Sequence, residues 1–405
     1  MESDFVNGLA VVVRFVHVLA AIMWIGNSLL FTWMELNLIK PKPGSDADLI
    51  GTLDMLHGGG VFHLQKRVMR PDAIPSPLHW FMWQSYTTWI SGFVLMLTLY
   101  HTGGGQFFLD PTKTDLPGWG AVLWSLAGLV AGWVVYDQIW RSPLKKWPNV
   151  AILLCLGLVL AAAWFYSTIF NGRAVFLQIG AMMGTMMSAN VFFHIIKNQH
   201  RFMDALKAGR PHDVELGKAA KFRSLHNHYM TFPVLFLMLS AHFPQLYSAR
   251  WIVPVLAVLI VSLMFIKFLM NARYWFHDWL PALGGTVLVA TAAIYVLLTL
   301  PESMTPVGGN SVAEAGRRVF LSQGCAACHM TGSSQLAPDL HGIFGKNQPL
   351  ADGRDVLVDE EYLRESIRNP QAKIARGFAP SMPAYPALTD EQLDQLVAYI
   401  RSLTR

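Results

Sequence analysis

Three residues near the C-terminus have the types and the spacing that attach a haem. In QGCAACHMTG, residues 323–332, Cys325, Cys328 and His329 form the pattern C-x-x-C-H. Two thiols at this spacing can each add to one porphyrin vinyl group, and the next His can bind the iron. A redox dithiol or half a zinc site needs no following His, and Cys155 lies in an apolar run, so no second pair completes a zinc site. The pattern predicts one covalent haem c with His329 as metal ligand.

The last segment of the chain has the pattern of an amphipathic helix. Thr389 and Gln392 match a capping box, which marks the first turn. Apolar residues then recur at helical spacing: Leu393, Leu396, Val397 and Ile400. A helix is therefore expected after Thr389.

Residues 312–405 resemble a class I cytochrome c, on the C-x-x-C-H pattern, LAPDLHGIFGK, SMPAYP and the final helix. The resemblance implies a helical domain in which Met382 is the second metal ligand and Pro338 packs beside His329. A thioether ligand raises the reduction potential, which suits an electron acceptor.

The rest of the chain has the composition of a membrane protein. Only 14% of the 405 residues are charged and 53% are apolar, whereas soluble domains average about 25% charged. The net charge of +5 fits loops that face lipid headgroups, and no nucleic-acid motif is visible. A bilayer-crossing helix needs about 20 apolar residues. Eight such spans are predicted: 8–34, 79–101, 119–140, 149–170, 174–196, 225–243, 250–272 and 278–299.

These elements predict an all-α protein, a polytopic eight-helix transmembrane bundle followed by a class I cytochrome c-like domain. PESMTPVGGNS, residues 301–311, has the Pro and Gly content of a linker. The predicted division is a membrane domain over 1–300, the linker, and a cytochrome domain over 312–405. Residues Met1–Gly8 lack the basic start of a signal peptide, so the first span is expected to remain as an anchor.

Two arguments give the same orientation in a bacterial inner membrane. Haem c is attached outside the cytoplasm, so the C-terminal domain is expected in the periplasm, and eight spans place the N-terminus there too. Most loop Lys and Arg residues fall in the alternate loops 35–78, 141–148, 197–224 and 271–277. The opposite loops carry only Lys113, Arg173 and Arg250, and this bias marks the cytoplasmic side.

One face of the first span carries polar residues. Three- and four-residue steps place these on a single stripe: Arg14, His17, Ala21, Trp24, Ser28 and Glu35. Ionisable groups inside a span are costly and are functional candidates. The stripe is expected to face the bundle, where Arg14 and His17 either bind a ligand or only hydrogen-bond to other helices.

A glycine-rich segment, HGGGVFHLQK, follows this span. Glycine backbone can approach a ligand closely, which makes His57 and His63 candidate site residues. A flexible turn with two solvated histidines is the alternative. The Lys-Ser/Thr of a phosphate loop is absent.

Histidines in the spans could also bind haem iron. His79 and His226 both stand at predicted cytoplasmic span ends, and His17 and His242 both stand in the periplasmic half. Either pair could hold a b-type haem, so one or two such haems are a further expectation. A satisfied polar contact is the alternative for each histidine.

Four long segments show a family resemblance: RFVHVLAAIMWIGNSLLF, HGGGVFHLQK, LHWFMWQSYTTWISGF and RSLHNHYMTFPVLFLM. They resemble the N-terminal domain of bacterial integral-membrane urate oxidases, which also end in a cytochrome c domain. The resemblance implies oxidation of urate to 5-hydroxyisourate with an acceptor other than oxygen and without hydrogen peroxide. Electrons would then reach a soluble cytochrome c or a terminal oxidase. His228 stands where the family usually has Asn, which favours His226 over His228 as an essential residue.

Under this resemblance the urate site needs donors, flat faces and a proton acceptor. Candidate donors are Arg14, Arg223, Gln84 and Asn227, and candidate faces are Trp24, Trp83 and Tyr86. His57, His63 or His226 could take a proton.

Other functions remain open from the residues. A non-catalytic membrane subunit could relay electrons from quinol to the tethered cytochrome. A transporter or sensor with a haem module is disfavoured because no inverted repeat is evident. An enzyme acting on another purine or a small heterocycle is the remaining alternative.

Overall fold

The computed structural model describes residues 2–101, 108–110, 113–114, 116–210, 214–247, 251–299, 312–329, 337–378 and 382–403. The predicted linker, residues 301–311, lies outside the described residues. The chain forms two compact units, one of 1–240 with 256–294 and one of 241–255 with 295–405.

Most of the described chain is helical. The helices before the cytochrome region are α1 (Glu2–Leu36), α2 (Trp83–Met96), α3 (Gly118–Arg141), α4 (Pro148–Ser167), α5 (Gly172–Ala189), α6 (Lys197–Lys207), α7 (Val214–Leu239), α8 (Pro244–Tyr247), α9 (Ile252–Ala272) and α10 (Trp279–Thr299). A π-helical turn, Leu97–His101, prolongs α2, and a second, Asn190–Ile196, joins α5 to α6. Short 3₁₀ turns lie at Pro71–Ala73, Pro143–Lys146 and Ser240–His242.

Six stretches of the described chain are long and apolar enough to cross a membrane: Gly8–Leu36, Gly118–Arg141, Pro148–Ser167, Gly172–Lys207, Ile252–Ala272 and Trp279–Thr299. They correspond to six of the predicted spans. The span predicted at 79–101 becomes helical only at Trp83. The span predicted at 225–243 begins inside α7, whose first turns are charged, and runs past the end of α7 at Leu239. The count of eight stays a prediction.

The described chain is mostly helical, as expected, but it also contains short strands that the all-α expectation did not include. Strands β1 (Leu49–His57) and β2 (Gly60–Arg67) form an antiparallel hairpin in the glycine-rich segment. Gly58 and Gly59 both have positive φ, 60° and 81°, as a two-residue hairpin turn requires. The glycines therefore close a hairpin.

Helix α5 is the centre of the bundle and packs against α2, α3, α4 and α7. Two glycines of α3 allow close packing with its neighbours. Gly128 leaves room for Tyr166 of α4, and Gly132 leaves room for Met182 of α5. Helix α1 packs mainly on α2, and no residue of α10 is buried. Because α5 packs against both α3 and α7, the polar residues of these three helices meet inside the bundle.

The cytochrome region has a compact helical core. It contains α11 (Val312–Ser322), α12 (Ala326–His329), α13 (Glu360–Arg368) and α14 (Asp390–Ser402), with a short hairpin of β3 (Asn347–Pro349) and β4 (Asp355–Leu357). The predicted capping box forms between Thr389 and Gln392. The predicted apolar stripe of α14 is buried at every position: Leu393, Leu396, Val397 and Ile400.

Candidate functional site

The C-x-x-C-H residues lie at one wall of a cavity in the cytochrome region. Cys325 ends the turn after α11, and α12 carries Cys328 and His329. Met382 also lines this cavity. Most of the lining is apolar, including Phe320, Leu340, Ile343, Leu363 and Leu396, which suits a porphyrin. The residues present therefore fit a covalently attached haem.

His329 is held in the form that binds iron. Its Nδ1 lies 2.9 Å from the carbonyl oxygen of Pro338, which can only accept, so Nδ1 carries the proton and Nε2 is free. Burial lowers the pKa of His329, although the Pro338 hydrogen bond opposes the shift, so the ring is neutral at pH 7. Burial also raises the pKa of the Cys325 thiol to about 12.

A close helix crossing supports the cavity. A Cβ on Gly316 of α11 would lie 1.7 Å from the carbonyl oxygen of Gln395 in α14. Only glycine allows the two backbones to approach this closely. The crossing brings Phe320 of α11 against Tyr399 of α14, at 5.2 Å between ring centroids.

A buried carboxylate in the first compact unit binds two arginines and a histidine. Asp137 of α3 is 6% exposed and accepts from Arg223 Nη2 and His194 Nε2, each at 2.6 Å, and from Arg141 Nε at 2.7 Å. Arg223, a predicted catalytic residue, also lies over the Tyr136 ring, 5.3 Å from its centroid. Its charge is therefore already paired within the protein.

His226, also a predicted catalytic residue, ends a buried hydrogen-bond chain. Asn190 Oδ1 accepts from Arg223 Nη1 at 3.4 Å, so the Asn190 amide nitrogen donates to the Tyr136 hydroxyl at 3.0 Å and to Asn227 Oδ1 at 2.9 Å. The Tyr136 hydroxyl has no other acceptor among the described residues, so its proton goes to Nδ1 of His226, 2.7 Å away. The His226 proton consequently lies on Nε2, which makes Nε2 a donor and disfavours iron binding there.

His226 borders a long apolar cavity between α3, α4, α5, α7 and α9. The cavity follows α3 from Trp124 to Trp140 and is lined by several methionines, including Met182, Met186 and Met264. Trp140 Nε1 is buried and has no hydrogen-bond acceptor among the described residues. Such a lining suits an apolar molecule with one acceptor and not the polar urate ring.

His17 of α1 has the same hydrogen-bonding pattern as His329. Its Nδ1 donates to the carbonyl oxygen of Thr88 in α2 at 2.9 Å, which leaves Nε2 free of the proton. Gly92 makes room for the ring, since a Cβ there would lie 2.8 Å from Cε1 of His17. The middle of the predicted stripe, His17 to Ser28, faces the protein, but Arg14 and Glu35 are exposed.

A second buried polar cluster joins α1, α7 and α9. Thr32 donates to the Ser28 carbonyl oxygen and accepts from Nδ1 of His228 at 3.3 Å. Nε2 of His228 then accepts from the Asn271 amide at 2.9 Å. Lys267 of α9, one turn before Asn271, is 3% exposed. The cluster was not predicted from the sequence, although a lysine in an apolar span is the signal that could have found it.

The remaining predicted site residues lie at exposed positions. His57 faces solvent on the hairpin, and His63 pairs with Asp54 across it at 2.6 Å. His79 precedes α2, and His242 ends a 3₁₀ turn. The hairpin geometry favours the alternative of two solvated histidines, because neither His57 nor His63 meets another candidate.

Sequence reasoning also missed Asp137 and His194. Each is an ionisable group in a predicted span, and the π-helical turn Asn190–Ile196 presents both Asn190 and His194 to the Asp137 cluster. Such turns are frequent at functional sites.

The fold and the haem cavity define a membrane-associated oxidoreductase with a cytochrome c domain. Residues 3–298 match the urate oxidase N-terminal family and residues 313–404 the cytochrome c family. The chain belongs to the urate oxidase N-terminal family. The family resemblance stated from the sequence is thereby confirmed.

Two curated relatives match the cytochrome region. A cytochrome c oxidase subunit 2 of Alkalihalophilus pseudofirmus is 34% identical over 94 residues, which are 23% of this chain and 26% of that protein. Cytochrome c-554 of Methylosinus trichosporium is 33% identical over 96 residues, 19% of this chain and 71% of that protein. The chain thus spans about a quarter of the first relative and most of the second. Both likenesses fall on the cytochrome region and agree with its match to the cytochrome c family.

Proposed function

We propose that this protein oxidises urate to 5-hydroxyisourate. Water supplies the added oxygen: urate and one water give 5-hydroxyisourate, two protons and two electrons. The observation that carries the proposal is the joining, in one chain, of a urate oxidase N-terminal region to a haem-binding cytochrome region. Because the electrons leave through the cytochrome, no hydrogen peroxide forms.

The cytochrome residues supply a one-electron acceptor. Cys325 and Cys328 would bond the porphyrin, and His329 and Met382 would bind its iron. Haem c, when bound, accepts one electron at a time. A soluble cytochrome c or a terminal oxidase is the proposed acceptor beyond it.

The protein is proposed to span the bacterial inner membrane with its N-terminus and cytochrome domain in the periplasm. Haem attachment outside the cytoplasm and the distribution of loop Lys and Arg support this orientation. The proposed plan is a membrane domain over 1–300, a linker over 301–311 and the cytochrome domain over 312–405.

A b-type haem in the membrane domain is proposed at His17. The Thr88 hydrogen bond gives His17 the ligand form that Pro338 gives His329. His226 does not fit the role of haem ligand. Its Nδ1 accepts from Tyr136, so its proton lies on Nε2, the nitrogen that would have to bind iron. The pairing of His17 with His242 and that of His79 with His226 stay predictions.

The proposed substrate contacts differ in support. His226 borders the apolar cavity and could donate from Nε2. Arg223 is paired with Asp137 and would act on urate only through the hydrogen-bond chain. Arg14 is exposed on α1 and could meet urate only at the protein surface. His57 and His63 stand on an exposed hairpin, so their predicted role in proton transfer has the least geometric support.

The deciding experiment adds urate anaerobically to the purified, haem-loaded protein. The expected result is the appearance of reduced haem c absorbance, and with added soluble cytochrome c, two reducing equivalents per urate consumed. C325S/C328S, which cannot attach haem c, is the control. Reduction by a quinol but not by urate would instead assign the electron-transfer subunit, and preference for xanthine would change the substrate.

A further inference from the structure

Lys267 is a buried cation without a buried anion. It is the only charged residue in the sequence of α9 and is 3% exposed. Among the residues that the structure describes, Lys267 makes no ion pair and no side-chain hydrogen bond. Lys267 has an unfavourable electrostatic interaction with Arg273, another cation.

Burying the Lys267 ammonium group without an anion costs free energy, which a bound negative charge would offset. An ammonium group removed from water is strongly destabilised unless an anion or several acceptors surround it. Lys267 Nζ lies 5.0 Å from the centroid of the Phe232 ring, which compensates only part of that cost. Lys267 lies about 7.5 Å along the helix from its end at Ala272, at 1.5 Å per residue.

We propose that Lys267 binds a small organic anion, which under the proposed function is the urate monoanion. This inference rests on the proposed function and adds the residue that holds the substrate's charge. Lys267 would thus have no carboxylate partner in the protein because the bound substrate provides the negative charge that pairs with it.

The neighbouring residues suit this role. Asn271 lies one helical turn from Lys267, so both side chains share a face of α9. One Asn271 amide hydrogen is used by His228, which leaves a second hydrogen and the carbonyl oxygen for a ligand. Both His228 nitrogens are occupied, by Thr32 and Asn271, so His228 acts as a positioning residue for the Asn271 amide.

The other candidate sites suit urate less well. The Arg223 charge is paired with Asp137, and the cavity beside His226 is lined mainly by apolar side chains. Lys267 therefore offers what the other sites lack, an unpaired positive charge one helical turn from an amide that keeps one hydrogen for a ligand.

The test is equilibrium dialysis of [¹⁴C]urate against full-length protein that has been reduced with dithionite under argon, so that bound urate cannot be oxidised. K267Q is expected to weaken urate binding about 10- to 100-fold, the range expected for loss of a charge-assisted hydrogen bond. K267R keeps the charge and is expected to bind urate more tightly than K267Q. K221Q, which removes a charge from an exposed lysine, is the matched control and is expected to bind as the unaltered protein does.

Haem c absorbance and reduction by ascorbate report whether each variant is intact. If K267Q is unfolded, the comparison of K267R with K267M decides, with tighter binding by K267R supporting the inference. Equal urate affinity in K267Q and the unaltered protein overturns the inference while urate-dependent haem reduction still upholds the proposed function. If the unaltered protein neither binds urate nor is reduced by it, both are wrong.

Discussion

The Tyr136 hydroxyl joins two nitrogen atoms: it accepts a hydrogen bond from Asn190 Nδ2 at 3.0 Å and donates one to His226 Nδ1 at 2.7 Å. The direction of the chain is set at Arg223, which can only donate. A paired arginine on one helix thereby determines where a histidine on the same helix carries its proton.

Replacing Tyr136 by Phe removes this hydroxyl and leaves the Asn190 donor and His226 without a shared partner. We expect the free energy of unfolding to fall by about 1–3 kcal/mol, the cost of a buried unsatisfied polar group. Chemical denaturation in detergent measures it. Y229F is the control, because the Tyr229 hydroxyl has no hydrogen bond to a described residue, and an equal loss in both variants would contradict the expectation.

Asp137→Asn tests the cluster in which Arg141, Arg223 and His194 contact one carboxylate. Removing the carboxylate leaves Arg223, 5% exposed, without its anion, and we expect a loss of about 3–5 kcal/mol in the free energy of unfolding. The exposed Asp204 supplies the control variant D204N. If D137N unfolds at the same denaturant concentration as D204N, the cluster does not stabilise the bundle.

Met382→Leu is expected to leave haem c covalently attached, because both thioether bonds remain. Loss of the thioether ligand should lower the midpoint potential, by on the order of 100 mV out of the ~0.8 V that axial ligands span. A spectroelectrochemical titration measures the shift. The buried Met203 gives a control, M203L, and an unchanged potential in M382L would show that Met382 is not a ligand.

Gly316→Ala is expected to destabilise the cytochrome domain. The added Cβ would meet the Gln395 carbonyl oxygen, so α11 and α14 must separate, at a cost of about 1–3 kcal/mol or more. The loss of haem c absorbance on heating reports it. G217A, at a helical glycine with open space around it, should melt as the unaltered protein does.

His17→Ala tests the proposed b-type haem. Extraction with acidified acetone should recover non-covalent haem from the unaltered protein but not from H17A, while haem c stays in both. H57A, on the exposed hairpin, should keep the extractable haem. Absence of extractable haem in active unaltered protein would rule out the b-type haem altogether.

The sequence predicted best what depends on residues close together in the chain. The C-x-x-C-H spacing, the Thr389 capping box and the apolar stripe of α14 are local patterns, and the structure has each of them. The glycine-rich segment is also local, but its sequence allows either a close approach to a ligand or a turn, and the structure has a hairpin turn there.

What could not be predicted is the partnering of polar groups between distant helices. Asp137 and Arg223 are 86 residues apart, and Thr32 and His228 are 196 residues apart. Span lengths do not determine which helix faces meet, so Arg223 was expected to be free for substrate. Lys267 was visible as a charge in an apolar span, but its lack of a partner depends on the packing around it.

The π-helical turn Asn190–Ile196 has a consequence for insertions and deletions. Each extra residue in a helix turns everything beyond it by about 100°, because an α-helix has 3.6 residues per turn. Deleting one residue here would restore a plain α-helix. His194 and all of α6 would then be rotated about the helix axis with respect to Asn190, and His194 would no longer face Asp137. A gain or loss of a single codon in this stretch would thus alter the polar centre of the bundle as much as a substitution of its charges.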